Sequence, residues 1–320
     1  MTEHEQAATA PVVLITGAGG YIGGQLGERL AAHCTVVGVD IRPQETAGFP
    51  VQVMDIRDPA LAGLMREHGV THVVHLAAVL GDSGDRARDY DIDVNGTRNV
   101  LDACCDAGVG HFTVTSSGAA YGYHADNPAW LSEEHPLRGN PEFAYSDHKR
   151  LVEELLADYR QRFPHLKQLV LRPGTVLGAA TGNLITQLFQ RPKVLAIRGS
   201  DSPFVFIWDE DVIAIIEKGI RDSAEGIYNL AGDGALTVTD IARELGKPVQ
   251  VLPATLLRVV LGVGKALGLT RYGPAQVNFL RYRPVLSNRK LKDDFGYTPA
   301  KSSLETFRFY IEHARARGEL

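Results

Sequence analysis

Short β-branched runs alternate with amphipathic segments through the first half of the chain, and this alternation restricts the fold more than any other feature. VVLIT (12–16), TVVGVD (35–40), VQVM (51–54), HVVHLA (72–77), HFTVTS (111–116) and QLVLRP (168–173) read as strands. Helical patterns fill 21–32, 58–68, 88–107 and 143–163 between them. Strands linked by helices need crossover connections, so the expected fold is α/β, a doubly wound parallel sheet with helices on both faces. After Pro173 the rhythm loosens. Strand-like pieces near 194–197, 204–207 and 227–230 mix with helical ones near 181–190, 209–222, 237–246, 254–268 and 301–316, which suggests a smaller second lobe, discontinuous in sequence.

The 320 residues suffice for a large core, and a net charge of -5 gives no reason to expect nucleic acid or an anionic membrane as partner. Three cysteines, two of them adjacent (Cys104 and Cys105), form no disulfide framework. The first ten residues are polar, with no apolar signal region, and read as a loose tail of a cytoplasmic protein. The longest apolar stretch, LLRVVLGVGKALGL (256–269), is broken by Arg258 and Lys265 and is too short to span a bilayer, so it reads as an amphipathic helix and no membrane span is expected.

VVLITGAGGYIGGQL runs from the first strand straight into a helix, with Gly17, Gly20 and Gly23 spaced three apart and Tyr21 and Ile22 inside the turn. The first glycine permits the tight turn, the second lets a pyrophosphate approach the backbone, and the third lets helix and strand pack closely. The second strand ends in Asp40, 23 residues after Gly17. A carboxylate there accepts from the hydroxyls of an adenosine ribose and repels a 2′-phosphate, which favours NAD over NADP; Arg42 keeps NADP open. Asp55 and Ile56 follow the third strand, where they suit an adenine amino group and ring, and Leu76, Ala77 and Ala78 close the fourth with room for a cofactor.

EFAYSDHKRL places Tyr145 four positions before Lys149 on a helix, which puts phenol and ammonium on one face. A free tyrosine is only about 0.1% ionised at neutral pH, and a neighbouring cation favours the phenolate that general-base chemistry needs. TVTSSGAAYG brings Thr115, Ser116 and Ser117 to a strand's carboxyl end, where ligands of doubly wound sheets bind. A serine hydroxyl there can hold the reacting oxygen.

These elements, taken in order with MDIRD (54–58), VVHLAA (73–78), DVNGTRNVL (93–101), LRPGTVLG (171–178), FVFIWDEDV (204–212) and GIYNLAG (226–232), resemble the extended short-chain dehydrogenase/reductases, the NAD-dependent epimerase/dehydratase family. The resemblance implies a Rossmann-type sheet with 11–176 plus 205–233 binding dinucleotide and 177–204 plus 234–320 forming the substrate lobe. It also implies Tyr145 as general acid/base, Lys149 on the nicotinamide ribose, and Ser117 orienting substrate. Asn95 would support the site from its helix, and Arg172, Pro173 and Gly174 would lie under the nicotinamide. Gly118, Asn183 and Trp208 are candidate substrate contacts. A homodimer through the helices at 88–107 and 143–163 is implied too.

Some features depart from the pattern. Nucleotide-sugar members commonly carry an arginine before the strand that matches FVFIW, yet none stands between Gly199 and Val212. Arg271, Arg281 or Arg283 could still take an anion. Phe189, Phe204, Phe206, Trp208 and the helix at 254–268 could enclose an apolar ketone. His68, His72 and His75 complete no metal set, and Glu133 or Glu134 reads as a solvated loop charge, the alternative being reach to substrate as the resemblance to the family's dehydratases implies. The first expectation is therefore an NAD-dependent oxidoreductase interconverting a secondary alcohol and a ketone; the alternatives are a nucleotide-sugar epimerase with retained NAD and an NAD(H)-sensing or scaffold protein.

Overall fold

A computed structural model of the protein describes residues 10–44, 47–81, 83–270 and 273–320. In chain order the first half contains β1 (Val12–Thr16), α1 (Tyr21–Leu30), β2 (Thr35–Asp40), β3 (Val51–Val53), α2 (Leu61–Glu67), β4 (His72–His75), α3 (Arg86–Tyr90), α4 (Gly96–Ala107), β5 (His111–Thr115), α5 (Ala144–Arg162) and β6 (Lys167–Pro173). The second half contains β7 (Thr175–Leu177), α6 (Leu184–Phe189), β8 (Val194–Ile197), β9 (Phe206–Trp208), α7 (Asp209–Arg221), β10 (Gly226–Leu230), α8 (Val238–Leu245), β11 (Val249–Leu252), α9 (Ala254–Ala266), α10 (Gln276–Arg281), α11 (Arg289–Asp293) and α12 (Ser303–Ala316).

Seven strands form one parallel sheet in the order β10-β6-β5-β4-β1-β2-β3. Strand order reverses between β1 and β4, so a crevice opens at their carboxyl ends, where such sheets bind ligands. Thr16 is level there with both Val39 and His75. Alternation within each strand divides the core between the two faces. Leu14, Val73, Phe112 and Val170 pack against Leu61, Met65, Leu101 and Leu156 of α2, α4 and α5. Val13, Ile15, Val74 and Leu171 turn to the other face, against Leu26 and Leu30 of α1 and Ile213 and Ile216 of α7. Burying both faces explains why these strands are almost uninterrupted apolar runs.

The helix expected over 88–107 is present, but it is not α-helical throughout. A π-helical turn over Asp91–Asn95 joins α3 to α4 and widens the helix in mid-course. Two small parallel pairs, β7 with β9 and β8 with β11, build the second half around Phe189, Phe204, Phe206, Phe307 and Tyr310. Capping boxes at Thr237 and Asp240, and at Ser302 and Glu305, start α8 and α12.

Candidate active site

The glycine turn is built as its spacing requires. Gly17 sits at φ +71° beside the end of β4, where a Cβ would come within 2.8 Å of the Ala77 backbone nitrogen. A Cβ on Gly23 would lie 2.2 Å from the Gly17 carbonyl oxygen, so helix and turn approach too closely for any side chain. No side chain caps the start of α1 and its first turn holds no acidic residue, which leaves the positive end of the helix facing the crevice. Asp40, nearly buried, closes the turn by accepting from the backbone nitrogens of Gly19 and Arg42, each at 3.0 Å. A carboxylate has about four acceptor positions, so roughly two remain for ribose hydroxyls. The cradle fits a dinucleotide. Tyr21 extends from the turn to Asp209 (2.5 Å), fastening it to the start of α7.

Ser117 leaves the carboxyl end of β5, and Tyr145 and Lys149 lie on the first turns of α5, which packs against the turn after Ser117. Ser117 ends the chain leaving β5 and caps a 3-10 turn over Gly118–Tyr121, its Oγ accepting from the Ala119 nitrogen at 3.1 Å. Its hydroxyl proton stays available to a ligand. Ser146 Oγ donates to the Ala119 carbonyl at 2.7 Å and fixes the start of α5, with Tyr145, against that turn. Lys149 Nζ lies 5.8 Å from the centre of the Tyr145 ring and donates to the Thr115 carbonyl at 3.1 Å. Two of its three donors remain. The Tyr145 hydroxyl has no hydrogen-bond partner among the described residues.

A buried polar layer holds these groups from behind. Arg172 donates from Nε and Nη2 to both oxygens of Glu153, the shortest contact at 2.6 Å, and Ser116 Oγ donates to Glu153 at 2.5 Å. Arg172 Nη1 reaches the Tyr121 hydroxyl, which in turn meets Asn229 Oδ1 at 2.9 Å. Glu133 accepts from the Asn229 backbone nitrogen at 2.6 Å, and burial raises its carboxyl pKa. Glu133 is thus a half-buried clamp on β10, not the solvated loop charge expected from sequence. Ser116 and Arg172 are likewise saturated by protein partners, so both serve the layer beneath the crevice. Pro173 and Gly174 follow Arg172, and the Gly174 nitrogen is spent on the Leu230 carbonyl.

One expected position faces elsewhere. Asn95 is exposed and donates to Asp91, away from the crevice. Asp93 takes the inward place, accepting from the Val79 nitrogen at 2.8 Å and facing His148 Nδ1 at 3.2 Å. It lines a small cavity with His75, Ala77, Ala78, Thr115 and Lys149. Asp55 is taken up by Arg57 at 2.6 Å, and Ile56 is buried beneath Gly96. Leu76 packs toward the core of the α1 and α7 face, while Ala77 and Ala78 border the cavity.

The histidines do not converge. His68 ends α2, and His72 meets Thr71. His75 is pinned between the hydroxyls of Thr16 (2.7 Å) and Thr97 (3.0 Å), and burial, aided by the Lys149 charge, pushes its pKa down to about 3. The apolar substrate pocket is not formed where it was expected. Phe189, Phe204 and Phe206 pack into the core of the second half, Trp208 stacks with Lys301 and Phe309, and the apolar face of α9 points outward. Asn183 spends its side chain capping α6, and Gly118 packs on Leu286. Arg271 lies outside the described residues. Arg281 stacks on Tyr282.

Arg283 was one of three equal candidates in the sequence, and its surroundings separate it from the others. The guanidinium stacks on Phe204 at 3.8 Å, and Nη1 donates to the carbonyl and hydroxyl of Ser202, both at 2.9 Å. Its Nε is sealed from solvent without a partner, no carboxylate pairs with it among the described residues, and burial pushes its pKa down to about 9. Rings of Phe279, Tyr123 and Phe143 connect it to Tyr145.

Comparison with known proteins gives the fold and the family. The UDP-glucose 4-epimerase of Thermus thermophilus, solved in complex with NAD, is 26% identical with a TM-score of 0.73 over 95% of this chain and 99% of that one. The N-acetyl-alpha-D-glucosaminyl-diphospho-ditrans,octacis-undecaprenol 4-epimerase of Escherichia coli O157:H7 is 28% identical over 78% of this chain and 76% of its own length. An uncharacterized protein of Mycobacterium bovis is 26% identical over 99% of this chain and 86% of its own length. The sequence profile of the NAD-dependent epimerase/dehydratase family matches residues 13–231, and the chain belongs to that family of extended short-chain enzymes.

Proposed function

We propose that the protein is an epimerase that acts on a sugar carried by a diphosphate and keeps its NAD through turnover. The observation that carries this reading is Arg283, a sheltered cation without a carboxylate, connected by aromatic rings to Tyr145. A partly buried guanidinium lacking a counter-charge is costly, and an anionic substrate group would offset that cost. The 4-epimerases among the similar proteins support the same choice.

NAD, when bound, supplies the hydride acceptor and donor. Ser117 Oγ holds the hydroxyl of the reacting carbon, and Tyr145 Oη takes its proton as that carbon gives up hydride. Lys149, beside the phenol, would hold the cofactor ribose with its free donors. Once the keto sugar has turned over, Tyr145 returns the proton as hydride comes back to the opposite face. Residues 11–176 plus 205–233 carry the cofactor in this account, 177–204 plus 234–320 carry the substrate, and two copies pair through the α4 and α5 faces.

The dehydrogenase reading shares the first half of this chemistry, but the apolar pocket that favoured it is absent from the expected residues. A pure sensor has no use for the Ser117, Tyr145 and Lys149 set. The test is incubation with UDP-glucose and UDP-N-acetylglucosamine without added NAD, followed by NMR of the sugar. The expected result is a 4-epimer with no net reduced cofactor, and a KM at least tenfold higher in Arg283→Ala. A keto product formed only with added NAD overturns the proposal.

A further inference from the structure

The helix α9 carries its apolar stripe on the wrong side for a core. Leu256, Val259, Val260, Val263 and Leu267 recur at i, i+3, i+4, i+7 and i+11, one face of a helix, and each is 49–66% exposed. No residue of α9 is buried. The opposite face ties it down: Arg258 donates to Asn278 of α10 at 3.1 Å, and Gly262 lies against Pro274. A five-residue aliphatic ridge held outward on a fixed helix marks a docking surface.

Charge identifies the occupant. Between Glu244 and Asp293 the chain has no acidic residue and nine basic ones, although the whole protein is at -5; Arg289 and Lys292 are paired with carboxylates and Arg283 is enclosed, which leaves Arg258 and Lys265 as the cations of this helix. Among the described residues, Arg258 and Lys265 of this helix have no carboxylate partner. A second copy docked on the same face would bring like charge against like charge, since a two-fold interface apposes identical patches. An anionic bilayer accepts both features. The ridge enters the boundary between headgroups and acyl chains, and cations one helix diameter behind it remain within about 10 Å, a Debye length, of the lipid phosphates.

We propose that α9 docks the protein peripherally on membranes containing anionic lipid, without spanning them. This rests on α9 alone and not on what the catalytic site turns over. The test is flotation of the full chain, with its bound cofactor, on vesicles of phosphatidylcholine with phosphatidylglycerol and on phosphatidylcholine alone. Comparison is with Val259→Asp/Val263→Asp, whose two sites face solvent; circular dichroism and NAD content confirm that the variant is folded. The expected result is binding to the anionic vesicles that weakens at high salt and falls at least tenfold in the variant. Absence of flotation overturns the proposal, as does flotation that the variant leaves unchanged. A concentration-dependent dimer lost in the variant, with no vesicle binding, overturns it in favour of self-association.

Discussion

Replacing Glu153 with Ala should cost more stability than any exposed change in this protein. Glu153 and Arg172 have side chains only 4% exposed each, and the carboxylate takes Nε and Nη2 of the guanidinium as well as Ser116 Oγ. Removing one member of a buried pair strands the other charge, at roughly 3–5 kcal/mol. A folded domain holds only about 5–15 kcal/mol in total. For a chain of this size each kilocalorie shifts Tm by about 2 °C, so a fall of roughly 6–10 °C is expected. The double variant Glu153→Met/Arg172→Met leaves no stranded charge and should recover at least half of that loss, since apolar replacement of a buried pair is often neutral. Thermal unfolding followed by circular dichroism measures all three proteins. A Glu153→Ala protein within about 2 °C of the parent, or a double variant less stable than either single one, would refute the reasoning.

Two further perturbations probe the crevice. Asp40→Ser should weaken NAD binding tenfold or more, because a hydrogen bond to a charged group contributes about 1.5–3 kcal/mol, and should raise relative affinity for NADP beside Arg42; calorimetric titration with both cofactors measures the ratio, and an unchanged ratio would remove Asp40 from the ribose. His75 and His72 are held neutral by burial, with pKa values of about 3 and about 4, below the usual ~6.5. The unfolded chain therefore binds protons first. Their contribution is complete above about pH 6.5 and is lost as pH falls toward those folded values, by up to roughly 1.4 kcal/mol per pH unit for each. Urea unfolding between pH 6.5 and 5 should show this slope, reduced by about one proton in His75→Gln; equal slopes would show that His75 is not held neutral.

The sheet was legible because short β-branched apolar runs alternate with helical patterns along the chain, and the glycine turn because steric demands at Gly17 and Gly23 allow nothing larger. Spacing and a strand end singled out Ser117, Tyr145 and Lys149, and the structure sets Lys149 5.8 Å from the Tyr145 ring. Asn95 lies on the outward face for a physical reason: Asp93 shares a helix face with the buried Thr97, Val100 and Leu101, whereas Asn95 shares one with the exposed Arg98 and Asp102. Apolar periodicity identified α9 as amphipathic, yet periodicity says which residues share a face and not what that face meets. Arg283 stood out only once its neighbours were known, since sequence cannot distinguish a solvated arginine from a sheltered one. The short elements β7, β11, α10 and α11 owe their form to neighbours more than to their own propensities.

The most direct test of the central claim is to denature the freshly purified protein and its Tyr145→Phe variant and to quantify the NAD(H) released per chain, with epimerisation measured on the same samples. The account predicts close to one NAD(H) per chain in both, and a rate roughly 10²–10⁴-fold lower in the variant alone. Protein that emerges empty and turns over only with added NAD, or a Tyr145→Phe variant that keeps its rate, would contradict it.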